Sequence, residues 1–138
     1  NGEKDTLELL ESLTQLQTTN YQLQTIIVDN GSSDNFVEAA SKKYPDVDIL
    51  QTGINKGFSG GYNRGIEHAL IWGVDYVLII NNDVLTPYKK LFSSLLDTLE
   101  RNPNAGIVAP KILFAPGFEF HQDRYKKDVW LEQCYEYP

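Results

Sequence analysis

With 138 residues, 41% hydrophobic and 22% charged, the chain has the make-up of one globular domain, long enough to bury a core and neither disordered nor fibrous. Its 12 Lys and Arg against 19 Asp and Glu leave a formal charge of -7, which argues against a nucleic-acid partner and requires that any anionic ligand be held by a metal ion or backbone amides. A single cysteine, Cys134, excludes an internal disulfide and a cysteine-rich zinc site, and no apolar run approaches bilayer length.

No basic and apolar leader opens the chain, so export is not expected. With no methionine anywhere, the chain reads as a piece of something longer. Asp5 and Glu8 have capping-box spacing, and Leu7, Leu10, Leu13 and Leu16 recur at helical intervals, predicting a first helix from about Thr6 to Thr18. Leu23 to Asp29 predicts a strand that ends in the turn-rich Asn30 to Asp34. Phe36, Val37, Ala40 and Tyr44 form the buried stripe of a second helix, stopped by Pro45, and Val47 to Gln51 reads as a second strand.

A glycine-dense stretch, TGINKGFSGGYNRG, runs from Thr52 to Gly65 and passes into a helix ending near Trp72 and Gly73. Gly57, Gly61 and Gly65 are four apart, on one face if helical, and glycine inside a helix costs about 0.5–1 kcal/mol relative to alanine. That cost implies a close backbone approach; the alternative is a flexible loop with the helix starting only at Tyr62. Tyr76 to Ile80 then predicts a strand buried on both sides, the central strand of a parallel sheet. Thr86 and Pro87 are a good N-cap and first helical residue for a helix carrying Leu91, Leu95, Leu96 and Leu99, ended by Asn102 and Pro103. Gly106 to Phe114 contains one more strand, interrupted by Pro110. Beyond Phe114 an aromatic-rich tail suggests no more than an edge hairpin.

Helices and strands in alternation predict an α/β fold, a doubly wound, mostly parallel sheet with helices on both faces. Ligands of such sheets lie beyond the carboxyl ends of the strands, where Asp29 and the run Asn81, Asn82 and Asp83 would converge. Asn-Asn-Asp is equally a common turn. Two acidic strand ends flanking a glycine-rich loop nevertheless fit Mg²⁺ or Mn²⁺ with a phosphate-bearing ligand, since these cations take oxygen ligands and share them with phosphates. The P-loop and G-x-G-x-x-G patterns are absent, as is G-x-S-x-G, and His68 and His121 lack zinc-type partners.

Four stretches, IIVDNGSSDN (26 to 35), INKGFSGGYNRGI (54 to 66), DYVLIINNDV (75 to 84) and NPNAGIVAPKI (102 to 112), resemble in order and spacing the nucleotide-binding half of glycosyltransferase family 2. They look most like its rhamnosyltransferase-type members, which have the GT-A, Rossmann-like fold. The resemblance covers residues 1–113 as an incomplete nucleotide-sugar-binding portion, with 114–138 leading toward a missing acceptor-binding half. It implies an inverting, metal-assisted transfer of a sugar from a nucleoside diphosphate donor, UDP- or dTDP-linked, to a hydroxyl of a saccharide or lipid-linked acceptor in polysaccharide biosynthesis. A cytoplasmic protein is implied, at the cytoplasmic face of the membrane where missing parts anchor it. Asp29 and Asn30 would lie against the nucleobase, and Asn55, Gly57 and Phe58 in the loop beside base and phosphates, with Asn63 shaping it. Asn81, Asn82 and Asp83 occupy the family's D-x-D position, with Asn81 near the ribose and Asp83 the metal ligand. The amides Asn30 and Asn81 stand where the family often has acids and bring no charge. The general base is expected beyond this fragment; Glu119, Asp123 and Glu132 qualify only by being acidic. The other readings are a noncatalytic nucleotide- or sugar-binding module and a nucleotidyltransferase on a similar sheet.

Overall fold

The four-residue strands β1 (Ile26–Asp29) and β2 (Asp48–Gln51) pair in parallel, Ile26 opposite Asp48 and Asp29 opposite Gln51, joined by helix α2 (Phe36–Lys43). The computed structural model describes residues 2–17 and 21–112. Helix α1 (Glu3–Thr14) precedes this unit; α3 (Gly57–Ile71) and α4 (Leu91–Arg101) follow it. Parallel pairing across a helical crossover is the building unit of the expected α/β class. The expected tail, with Glu119, Asp123, Glu132, His121 and Cys134, lies outside the described residues.

Helix α1 begins at Glu3, with no capping box between Asp5 and Glu8. Gly2 holds the cap position instead: its carbonyl accepts from the Thr6 N–H and hydroxyl, both at 2.9 Å, while its own N–H donates to Asp34 Oδ2 at 3.1 Å. Glu3 and Asp5 remain in the first turn, where negative charge is favoured. The helix also stops before the expected Thr18, because the Gln17 N–H turns aside to the Lys89 carbonyl at 2.9 Å. Thr6, Leu9, Leu10 and Leu16 are buried and join Phe36, Ala40, Ala69 and Phe92 in a small core.

Helix α3 begins at Gly57, ahead of Tyr62, and Gly61 and Gly65 make the close approach, whereas Gly57 has φ +74° and open space around it. A Cβ on Gly65 would sit 3.0 Å from Val28 Cγ2, and one on Gly61 would sit 3.3 Å from Asn30 Nδ2. One turn further, Ala69 is buried, so small residues carry the helix down onto β1. At its far end His68 Nε2 lies 2.7 Å from Asp48 Oδ2 and packs edge-on against Trp72, tying α3 to β2 as well.

Thr86 is buried but does not cap α4. Its hydroxyl lies 2.9 Å from Ser12 Oγ of α1, its N–H points at the same oxygen, and Lys90 takes the cap position. Phe92, rather than the leucine stripe, is the buried residue of α4. Asn102 ends the helix by donating from Nδ2 to the Thr98 carbonyl at 2.8 Å.

Two expected strands are not formed among the described residues. Tyr76, Val77, Leu78 and Ile79 are 53%, 42%, 42% and 53% exposed and join no ladder, so Tyr76 to Ile80 is not the doubly buried centre of a sheet. The described part of Gly106 to Phe114 likewise joins no ladder, with Ile107 90% exposed. An apolar run records a demand for burial but not a partner, and in a parallel sheet that partner must come from far along the chain. Here β1 and β2 use each other, and among the described residues no third strand joins them.

Candidate functional site

At the carboxyl end of β1 lies Asp29, whose residue surface is only 7% exposed. Its Oδ1 accepts from the Ser32 N–H at 2.9 Å, its Oδ2 from Gln51 Nε2 at 3.3 Å, and its carbonyl from the Thr52 N–H at 3.0 Å. Burial pushes its pKa up, but the hydrogen bonds from Ser32 and Gln51 outweigh it and hold the carboxyl below the ordinary aspartate value. The carboxylate therefore braces the turn after β1 against β2, and each oxygen keeps lone-pair capacity for a ligand N–H.

The sign of its pH dependence follows. A carboxyl whose pKa is depressed by folding contributes stability that is fully present above its unfolded pKa, about 3.9, and is lost as pH falls through the folded value. In urea melts from pH 7 down to 2.5, the wild type is expected to lose stability below about pH 4, with Asp29→Asn removing part of that acid limb. An unchanged limb in the variant would show that Asp29 is not a source of it.

Asn30, the next residue, organises the glycine-rich loop. Its Nδ2 donates to Asn55 Oδ1 at 3.2 Å and to the Gly57 carbonyl at 2.9 Å; its Oδ1 accepts from the Lys56 N–H at 3.0 Å and lies 3.3 Å from Thr52 Oγ1. Asn55 Oδ1 also accepts from the Gly57 N–H at 2.8 Å. One carboxamide thus fixes the path of the chain from 52 to 57 into α3, and an uncharged amide suits this task because it both donates and accepts. Phe58, 73% exposed, projects from the first turn of α3 and meets the Tyr62 ring edge-on, centroids 4.5 Å apart. Asn63 is exposed on the same helix.

The other side of the site is the run Asn81, Asn82 and Asp83. The Tyr62 hydroxyl donates to Asn81 Oδ1. Asn82 Nδ2 donates to Thr6 Oγ1 at 3.1 Å and crowds Gly2, which docks the run on the start of α1. Asp83 is exposed, and its charge is felt by the Tyr62 phenol. Gly61 and Tyr62, consecutive on α3, therefore back the Asn30 side and reach the Asn81 side respectively. The helix brings the two predicted halves together.

The sequence reading passed over Tyr62 and Thr52. Tyr62 stands one helical turn after Phe58, an aromatic pair at i and i+4 inside a glycine motif. Thr52 closes β2, and its hydroxyl lies within hydrogen-bonding distance of the Asp29 carbonyl, Asn30 Oδ1 and the Ile54 carbonyl.

No group of three or more His, Cys, Asp or Glu that could hold a metal occurs among the described residues. Asp29 is occupied at the turn, which leaves Asp83 as the carboxylate at the rim free to face a ligand. One protein carboxylate, completed by phosphate oxygens and water, is a fitting donor set for Mg²⁺ or Mn²⁺.

A parallel β–α–β unit with a glycine-rich helix on its first strand and a polar rim beyond the strand end defines a partial GT-A, Rossmann-like α/β fold. The family model described as "Glycosyl transferase family 2" matches residues 1–136. The chain belongs to glycosyltransferase family 2. It is 33% identical over 102 residues to an N-acetylglucosaminyl-diphospho-decaprenol L-rhamnosyltransferase of Mycobacterium tuberculosis, covering 68% of this chain and 33% of that protein. It is 30% identical over 98 residues to the low-salt glycan biosynthesis hexosyltransferase Agl10 of Haloferax volcanii, covering 70% of this chain and 31% of that protein. The aligned part of the chain thus spans about a third of the length of these curated relatives.

Proposed function

We propose that the chain is the donor-binding part of a glycosyltransferase that moves a sugar, with inversion, from a nucleoside diphosphate to an acceptor hydroxyl. The observation that carries this reading is the linkage of the polar cluster at the end of β1 to the run Asn81, Asn82 and Asp83 by neighbouring residues of α3, in a chain of this family. Asp29 and the loop ordered by Asn30 receive the nucleobase end, with Asn55, Gly57, Phe58 and Asn63 lining the way to the phosphates. Asn81 lies by the ribose, and Asn82 holds the run against α1. Asp83 is the residue that would hold Mg²⁺ or Mn²⁺. When bound, the ion supplies Lewis-acid stabilisation of the charge on the departing diphosphate. The donor is a UDP- or dTDP-sugar, and the general base comes from outside this chain.

The acceptor is a saccharide or a lipid-linked sugar. The likeness to the Mycobacterium N-acetylglucosaminyl-diphospho-decaprenol L-rhamnosyltransferase supports the second form. Such an acceptor would set the reaction at the cytoplasmic face of a membrane; no helix of the described residues is long and apolar enough to cross one.

Full-length protein incubated with candidate donors, acceptors and Mn²⁺ tests the proposal through its products. Acceptor-dependent release of nucleoside diphosphate is the expected result. Release of pyrophosphate when a nucleoside triphosphate and a sugar 1-phosphate are supplied instead would make the protein a nucleotidyltransferase, and donor binding without turnover would make it a binding module; either overturns the proposal.

A further inference from the structure

The Tyr62 ring stands between two groups of the site. Phe58 packs edge-on against it from one helical turn back, and its hydroxyl donates to Asn81 Oδ1 across nineteen positions of sequence. A phenol can both donate and accept, but a carboxamide has two unlike ends, and the end bonded to Tyr62 in the structure is Oδ1. No other hydrogen bond to the Asn81 amide is formed among the described residues. Asn81 is exposed, so its second end faces outward.

We infer that Tyr62 is a positioning residue that holds the Asn81 carboxamide with Oδ1 toward α3 and Nδ2 toward the ligand, so that this end of the site offers a donor and selects an oxygen acceptor on the nucleotide. This inference rests on the donor-site reading above and adds to it the polarity of one contact and the residue that sets it. Without the hydroxyl, the amide is free to turn its oxygen outward, and an oxygen facing a ribose or phosphate oxygen loses the hydrogen bond and meets like partial charge. The acceptor is a ribose or a phosphate oxygen; the two share the same chemistry and are separable by ligand.

The experiment is a calorimetric titration of full-length protein with uridine diphosphate, thymidine diphosphate and inorganic pyrophosphate in the presence of Mn²⁺. It compares wild type, Tyr62→Phe, Asn81→Ala and the double variant, with thermal melts beside each. Tyr62→Phe is expected to weaken nucleoside diphosphate binding about three- to tenfold with its melt unchanged, the range of one hydrogen bond. In turnover it is expected to raise the donor KM while leaving kcat at saturation in place. The double variant should bind no more weakly than Asn81→Ala, because the hydroxyl acts through Asn81. Equal weakening of pyrophosphate binding identifies a phosphate oxygen; weakening confined to the nucleotides identifies the ribose. Undiminished binding by Tyr62→Phe, or losses that multiply in the double variant, overturns the inference. Wild type that binds no nucleoside diphosphate overturns the donor-site reading itself.

Discussion

Replacing Asp83 by alanine in the full-length protein is expected to abolish the metal-dependent part of donor binding and to slow transfer roughly a hundredfold or more. A cation that stabilises a departing diphosphate is worth several kcal/mol, and about 1.4 kcal/mol corresponds to each factor of ten. The fold should be untouched. Asp83 is exposed, and its removal belongs with surface changes that shift stability by within about 0.5 kcal/mol. Isothermal titration with and without Mn²⁺, beside a urea melt, separates the two effects. Binding that still strengthens with Mn²⁺ in Asp83→Ala would place the metal elsewhere.

Gly31→Ala is expected to act on folding instead, by roughly 2–4 kcal/mol, from left-handed strain and overpacking together. Gly31 has φ +82°, a conformation that L side chains rarely adopt, and a Cβ there would lie 2.8 Å from both the Asn55 nitrogen and the Ile54 carbonyl carbon. These are backbone atoms, which cannot swing aside as a side-chain end can. Gly53 supplies the control: its φ is +74°, but nothing lies within 4 Å of its added Cβ. Gly53→Ala should therefore show the conformational cost alone, about 1–2 kcal/mol. Urea midpoints for the two variants distinguish these contributions, and equal losses at both positions would remove the close approach of residues 54 and 55 as the cause.

How much of this was legible in the sequence depended on how local the deciding interaction is. Helices α2 and α3 and strands β1 and β2 were readable, because periodicity, glycine spacing and Pro45 act within a few residues. The glycine spacing announced a close approach, which Gly61 and Gly65 make and Gly57 does not, though not that Asn30 and Val28 would be what they approach. Capping was misread at both Asp5 and Thr86, since the groups that decide it, Asp34 for Gly2 and Ser12 for Thr86, come from 32 and 74 positions away. The unpaired state of Tyr76 to Ile80 was invisible for the same reason: an apolar run carries no signature of the edge that receives it. At the site, the residue types at 29, 30, 55 and 81 to 83 were recognisable, but their bonding was not. Asn30 was expected beside a base and is found also to anchor the loop with both ends of its amide, a geometry that no spacing rule encodes.

The descent of α3 onto β1 over small side chains has a mechanical consequence. A helix seated that closely has little room to tilt or slide independently of the strand, and it carries Asn30's neighbour and Asn81's partner one residue apart. The Asn30 side and the Asn81 side are therefore expected to travel as one body, with the gap between them held by the seat of the helix.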